Sequence, residues 1–115
     1  MSHTMNIEIE MNDMSALESA CERLGLTMTK SKVKLYGGEY DGIGIKLPGW
    51  NYPICVQEGG IKYDNYDGKW GNINELNKLK SYYGLEKAKA EARKKGYSVY
   101  ETTDNNEIKL TVKVI

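Results

Sequence analysis

The chain has 115 residues, which is enough for one domain with its own core and too few for two. Sixteen Lys and Arg balance sixteen Asp and Glu, so no net field draws the protein to nucleic acid or to an anionic membrane. No apolar stretch reaches the roughly 18 residues that a spanning helix needs, and the first residues lack the pattern of a secretion signal. We therefore predict one cytoplasmic domain over residues 1–115, with no membrane partner and no nucleic-acid partner.

The first third of the chain predicts a strand, a helix and a second strand. Residues 5–11 alternate apolar and polar side chains, which is the period of a half-buried strand. Asn12 and Asp13 offer N-cap oxygens for a helix, and Gly25 can end it. Between these caps, apolar residues recur every three or four positions and form one stripe: Met14, Leu17, Cys21 and Leu24. Residues 26–36 alternate again and predict the second strand.

The middle of the chain predicts three more strands. Residues 40–47 form the first of them, before Pro48 and Gly49 stop it. Residues 52–57 and 61–66 flank a glycine-rich turn, Glu58-Gly59-Gly60, and predict a tight hairpin. A further turn is expected at Asp67-Gly68.

The last third predicts a helix followed by two strands. The helical period begins at Asn72, but the apolar stripe before Gly84 is out of phase with the stripe after it, so we expect a kink or break there. Gly96 is expected to end the helix, and residues 97–101 and 108–115 then read as strands. The whole pattern predicts an α+β fold, an antiparallel sheet with two or three helices packed on one face.

The residue types that carry most enzyme chemistry are scarce. The one histidine, His3, lies in a terminal segment, and Cys21 and Cys55 lack the neighbouring ligands of a zinc site and are best interpreted as small buried hydrophobes. Asp64 and Asp67 could act as an acid and base pair or hold a cation, but Asp is also common beside turns. We predict no catalytic residue, no metal and no cofactor.

The aromatic residues have an unusual distribution. The chain has nine Tyr, two Trp and no Phe, and seven of these eleven fall between Tyr36 and Trp70. Aromatic rings with polar groups suit rigid contact surfaces. They are also the ordinary half-buried pillars of a small sheet, and the sequence leaves both interpretations open.

The helix before Gly96 ends in Arg93-Lys94-Lys95. Positive charge in a last turn is expected from the helix dipole alone. If this end lay near the aromatic residues, it would place cations beside stacking surfaces, as ligands that carry a nucleobase and a phosphate require.

Several motifs resemble a known family. The opening Met-Ser-His, the run Leu47-Pro48-Gly49-Trp50, the block from Tyr63 to Gly71 and the ending from Ala92 to Tyr97 are similar to the domain-of-unknown-function family twelve fifty-seven, which includes a conserved plastid reading frame. The resemblance is nearest to the bacterial and bacteriophage branch. It implies a fold and a cytosolic or stromal setting, and it implies no catalytic residues; for a viral member the setting is the host cytoplasm.

Two functional hypotheses follow. The first is a small non-enzymatic binding protein that holds a phosphorylated or nucleotide-like ligand, such as a signal that a phage sequesters from its host. Its ligand-binding set is Trp50, Tyr52, Tyr63, Asp64, Asn65, Tyr66, Lys69 and Trp70, with Arg93, Lys94 and Lys95 for phosphate. The second is a protein-interaction or homo-oligomeric assembly module that uses the same aromatic surface as its interface. An enzyme would have to rest on Asp64, Asp67 or Lys69 with a metal.

Overall fold

The computed structural model describes residues 5–7, 11–105 and 107–114. In these residues two α-helices, α1 (Met14–Leu24) and α2 (Ile73–Lys94), accompany seven strands and one short 3-10 turn (Tyr66–Gly68). The strands are β1 (Met5–Ile7), β2 (Met28–Leu35), β3 (Gly38–Ile45), β4 (Ile54–Gln57), β5 (Gly60–Tyr63), β6 (Ser98–Asp104) and β7 (Glu107–Lys113). The α+β class is confirmed. His3, Ile115 and residues 8–10 of the predicted first strand lie outside the described residues.

The main sheet has five antiparallel strands in the order β1-β5-β4-β3-β2. Strands β2 to β5 form a meander, and β1 joins its far edge by pairing Met5 with Tyr63. The predicted hairpin is confirmed, because Gln57 pairs with Gly60 across its turn. Helix α1 connects the two opposite edges of the sheet, from β1 to β2, and so has to cross one of its faces.

The main core lies between the two helices and this face of the sheet. Leu17 and Ala20 of α1 and Leu76 and Leu79 of α2 are fully buried there, against sheet residues such as Ile54. The predicted caps of α1 are confirmed: the Asp13 carboxylate accepts from the Ala16 N–H at 3.1 Å, and the helix ends at Gly25. The opposite face of the sheet carries a smaller cluster of Val33, Leu35 and Cys55, with Tyr40 packed against it.

The predicted break at Gly84 is wrong, because α2 runs without interruption through 22 residues. The change of phase in its apolar stripe marks a change of packing partner. The first half buries Leu76, Leu79 and Tyr83 in the main core, whereas the second half, which buries Ala92, packs against β6 and β7. An uninterrupted helix that changes its packing partner along its length needs its apolar face to rotate. The predicted end is confirmed, since the Gly96 N–H bonds the Arg93 carbonyl at 3.0 Å just beyond the helix.

The last two strands also differ from the prediction of one sheet. Strands β6 and β7 form a separate two-stranded sheet that packs on α2. Four charged side chains join it to both helices: Glu101 of β6 contacts Lys89 and lies 3.0 Å from Arg23, and Glu86 lies 2.9 Å from Arg23 and 3.2 Å from Lys89. The tertiary contacts to α2, including these pairs, supply what a lone hairpin lacks for stability.

Candidate functional site

The two aromatic segments of the sequence converge in the structure. The Trp50 indole N–H donates to the Asn72 carbonyl at 3.0 Å, and the Asn51 N–H donates to the Trp70 carbonyl at 2.8 Å. Trp50 is 1% exposed, and its ring meets the edge of Tyr63 at a centroid distance of 5.7 Å. Gly71 lies flat against the Trp50 ring, because a Cβ at this position would be only 2.5 Å from Trp50 Cγ. The run from Leu47 to Trp50 and the block from Tyr63 to Gly71 therefore form one structural unit.

Buried polar side chains shape the loop that follows β5. Asp64 is fully buried and its Oδ1 accepts from the Tyr66 N–H at 3.1 Å. Asn65 donates through its side-chain amide to the Gly71 carbonyl at 3.2 Å, and its own carbonyl accepts from the N–H groups of Gly68 and Trp70. These bonds satisfy buried polar groups and fold residues 64–71 into a compact turn.

The tip of this loop has a left-handed backbone. The φ angles are 46° at Tyr66, 53° at Asp67 and 94° at Gly68. Glycine adopts such angles readily, but a bulky residue such as Tyr does so at a cost of about 1–2 kcal/mol. The hydrogen bonds of Asp64 and Asn65 hold the strained turn in place, and the turn positions the Tyr66 ring beside Trp70.

Three partly exposed rings surround Trp70. The ring centroid of Trp70 lies 4.8 Å from that of Tyr66, 5.2 Å from that of Tyr36 and 5.5 Å from that of Tyr52, all with tilted planes. Tyr36 and Tyr52 also meet edge to face at 6.4 Å. We call these four residues, Tyr36, Tyr52, Tyr66 and Trp70, the Trp70 patch. Tyr36 is 53% exposed, and the exposed Lys69 places its ammonium 4.8 Å from the Tyr66 ring centroid.

The structure divides the predicted ligand-binding set into three groups. Tyr52, Tyr66, Lys69 and Trp70 come together at the Trp70 patch. A second group is buried and supports that surface from below: Trp50, Tyr63, Asp64 and Asn65. The third group, Arg93, Lys94 and Lys95, lies at the far end of α2, whose 22 residues separate it from the patch by about 30 Å at 1.5 Å per residue. The expectation that these cations lie beside the aromatic surface is therefore corrected.

The sequence interpretation missed two features. Tyr36 belongs to the patch, although the predicted ligand-binding set does not include it. Its position before the Gly37-Gly38 turn is the sequence signal for it, because a turn exposes its flanking side chains. No local sequence pattern predicts the ion pairs among Arg23, Glu86, Lys89 and Glu101, because the paired residues are up to 78 positions apart in the chain.

Burial raises the pKa of three side chains that pack in the interior. Burial raises the pKa of the Tyr63 phenol and that of the Cys55 thiol on the neighbouring strand, while Cys21 on α1 has its pKa raised to about 11 by burial. Both cysteines are free and buried, which confirms their interpretation as small hydrophobes. Within the described ranges no group of three or more His, Cys, Asp or Glu side chains is arranged to hold a metal ion. The patch therefore offers aromatic rings for stacking, phenol and indole groups for hydrogen bonding, and the Lys69 ammonium over the Tyr66 ring.

Comparison of the chain with protein-family models, curated proteins and solved structures finds no match in any of the three. The resemblance described from the sequence thus stays a prediction. Among the described residues, no helix is both long enough and apolar enough to cross a membrane.

Proposed function

We propose that the protein is a non-enzymatic binding protein that holds a flat, nucleobase-like ligand on the Trp70 patch. The observation that supports it is the cluster itself: four rings with centroids 4.8 to 6.4 Å apart that keep partial exposure, beside one cation. Trp50 and Tyr63, beneath the patch, are buried by contrast. Tyr36, at 53% exposure, offers the largest part of its ring to a ligand.

Stacking supplies the affinity in this proposal. A nucleobase stacked on an aromatic side chain contributes about 1–3 kcal/mol, and the rings of the patch already restrain one another, so few rotamers are lost on binding. Lys69 supplies positive charge for a phosphate at the edge of the patch. Because Arg93, Lys94 and Lys95 lie about 30 Å away along α2, Lys69 is the cation that we propose for the phosphate. In a phage, such a protein would sequester a nucleotide signal of the host.

Isothermal titration calorimetry tests the proposal with the four nucleosides, their 5′-monophosphates and 3′,5′-cyclic monophosphates as probes. We expect Trp70→Ala and the solvent-exposed Tyr36→Ala to weaken binding, by roughly 5- to 150-fold for Trp70. Lys69→Gln should weaken the phosphorylated probes and leave the nucleosides unchanged. The matched control is Tyr100→Ala, which removes a 54% exposed tyrosine outside the patch and should bind as the original chain does. Binding of none of the probes, or equal binding by Trp70→Ala, would refute the proposal.

A second candidate is a protein-interaction module that uses the same patch. It is favoured by the exposure of Tyr36, because tyrosine and tryptophan are enriched at the centres of protein interfaces. In that case a partner chain would protect the patch, and Tyr36→Ala with Trp70→Ala would abolish the complex without changing any nucleotide titration.

A further inference from the structure

Within the described residues, the C-terminal hairpin leaves the outer edges of both β6 and β7 unpaired. Strands β6 and β7 pair only with each other in the described part of the chain, from Ser98 opposite Lys113 to Asp104 opposite Glu107. Strand β7 has seven residues, and its outer edge carries backbone N–H and C=O groups that can pair with another strand. An edge of this length that alternates apolar and polar residues is a template for β-pairing.

The two faces of β7 differ in chemistry. Ile108, Leu110 and Val112 share the face that turns toward α2, where Ile108 lines a groove of about 520 Å³ together with Tyr82 and Leu85. The helix covers this face incompletely, because Val112 is 41% exposed. The alternation puts the polar and charged residues Lys109, Thr111 and Lys113 on the opposite face, whereas Glu107, at the start of the strand, also lines the groove.

The hairpin turn determines which backbone groups of β7 point outward. Because the loop between Asp104 and Glu107 has two residues, this closing pair exchanges its backbone hydrogen bonds, and the pattern alternates along the strand. Glu107, Lys109, Thr111 and Lys113 thus bond to β6, whereas Ile108, Leu110 and Val112 direct their N–H and C=O groups to the open edge. A strand that adds to this edge must place its own free backbone N–H and C=O groups opposite Ile108, Leu110 and Val112, so that hydrogen bonds form between the two strands.

We propose that the occupant of this edge is β7 of a second copy, paired antiparallel about a two-fold axis at Leu110. In this register Ile108 lies opposite Val112 of the second copy, and Leu110 lies opposite its own equivalent, so outward backbone groups meet outward groups. Glu107 then lies opposite Lys113 of the second copy, twice per dimer. Opposite charges directly across an antiparallel pair are favourable, and the apolar side chains of both copies line one face.

Repulsion between like charges disfavours the neighbouring registers of the β7 pair and self-pairing along the outer edge of β6. Moving the axis to Lys109 sets this lysine against its own copy, and moving it to Thr111 sets Lys109 against Lys113; like charges directly opposite are destabilising. Self-pairing of β6 would set Glu101 against its own copy, and this carboxylate is already engaged by Lys89 and Arg23. The β7 register centred on Leu110 is the one that pairs all seven residues without a like-charge contact.

The two α2 helices fit on the resulting four-stranded sheet. Each helix is held to β6 by the contact of Lys89 with Glu101. Strands in a sheet lie about 4.8 Å apart, so the two copies of β6 are separated by about 14 Å. Packed helices need 8 to 10 Å between axes, and the dimer therefore brings the helices near each other without a clash.

A charge-reversal cycle tests the proposal on the full chain, by analytical ultracentrifugation from about 1 μM to 1 mM. The original chain should pass from 13.0 kDa to twice that mass. Glu107→Lys and Lys113→Glu should each weaken the dimer by roughly tenfold or more, because each places two like-charge pairs in the interface. The double variant restores opposite charges and should recover the original affinity. Lys109→Glu, opposite a threonine, is the matched control. All three positions, Glu107, Lys109 and Lys113, are exposed, so the fold should survive each change.

Amide hydrogen exchange adds a test of the register. The amides of Ile108, Leu110 and Val112 should become protected only at dimer concentrations, whereas those of Lys109 and Thr111 should be protected already in the monomer. A mass that stays at 13.0 kDa at every concentration would overturn the proposal. So would single variants that dimerise as tightly as the original chain, or concentration-dependent protection at the Trp70 patch in place of β7. Because the Trp70 patch and its nucleotide titrations use other residues, either proposal can fail while the other stands.

Discussion

Replacement of Gly71 by alanine should destabilise the protein strongly, although it adds only one methyl group. The new Cβ would lie 2.5 Å from Cγ and 2.6 Å from Cε2 of Trp50, well inside van der Waals contact. Trp50 has no room to withdraw, because it is 1% exposed, donates to the Asn72 carbonyl and packs on Tyr63. Overpacking of a core costs about 1–3 kcal/mol, and loss of the indole hydrogen bond adds about 1 kcal/mol.

Thermal unfolding followed by circular dichroism measures this effect. A loss of about 3 kcal/mol in a chain of 115 residues lowers the melting temperature by about 12 °C, given an unfolding entropy of about 2.1 cal/mol/K per residue. Gly84→Ala is the matched control: a Cβ there meets no atom within 4 Å, and alanine in an exposed helix interior is favoured over glycine by up to about 1 kcal/mol. Unchanged melting of Gly71→Ala, or destabilisation by Gly84→Ala, would refute the packing argument.

Two further predictions concern titratable groups. Because burial raises the pKa of both thiols, that of Cys21 to about 11, a thiol reagent at pH 8 should leave the folded protein unlabelled and should modify both cysteines after denaturation in urea; labelling of the folded protein would contradict the burial. The hydrogen bond from Lys89 lowers the pKa of Glu101 despite some desolvation, and Arg23 adds to the effect. The stability that the ionised Glu101 adds to the folded protein is therefore fully present above the ordinary Glu pKa of about 4.3. It is lost as the pH falls through the lower pKa that Glu101 has in the folded protein. Glu101→Gln should make the free energy of unfolding in urea depend less on pH below about 4.3. The exposed Glu91→Gln should leave the pH dependence of the original chain unchanged.

Local patterns predicted the elements that depend on local chemistry. The cap at Asp13, the helix end at Gly25 and the hairpin turn at Glu58-Gly59-Gly60 each follow from side-chain or glycine geometry within a few residues, and the structure confirms them. The error at Gly84 arose because a phase change in an apolar stripe records which neighbours a helix meets. Those neighbours, β6 and β7, lie beyond the helix in sequence, and their separate sheet could not be inferred from alternation alone.

The candidate site was predicted only in part for a related reason. Residue type identified the aromatic and polar members of the block from Tyr63 to Trp70, but it could not tell which side of the loop each one would occupy. Trp50 and Asp64 are chemically suited to bind a ligand, yet burial commits them to the core. Tyr36 joins the patch through the β2-β3 turn, 34 positions from Trp70, and this proximity depends on the strand order. The distance of Arg93 from the patch depends in turn on the unbroken length of α2.

One loop couples the core to the Trp70 patch. In residues 64–71, Gly71 packs against the buried Trp50 ring, and the neighbouring Trp70 belongs to the patch. The Asn51 N–H also donates a hydrogen bond to the Trp70 carbonyl. The strained turn at Tyr66 persists because the buried side chains beneath it fix the backbone. A surface held in this way is ordered before any ligand arrives, so binding loses little side-chain entropy. Variants that loosen the loop from below should therefore weaken the proposed nucleotide binding even though they touch no exposed ring.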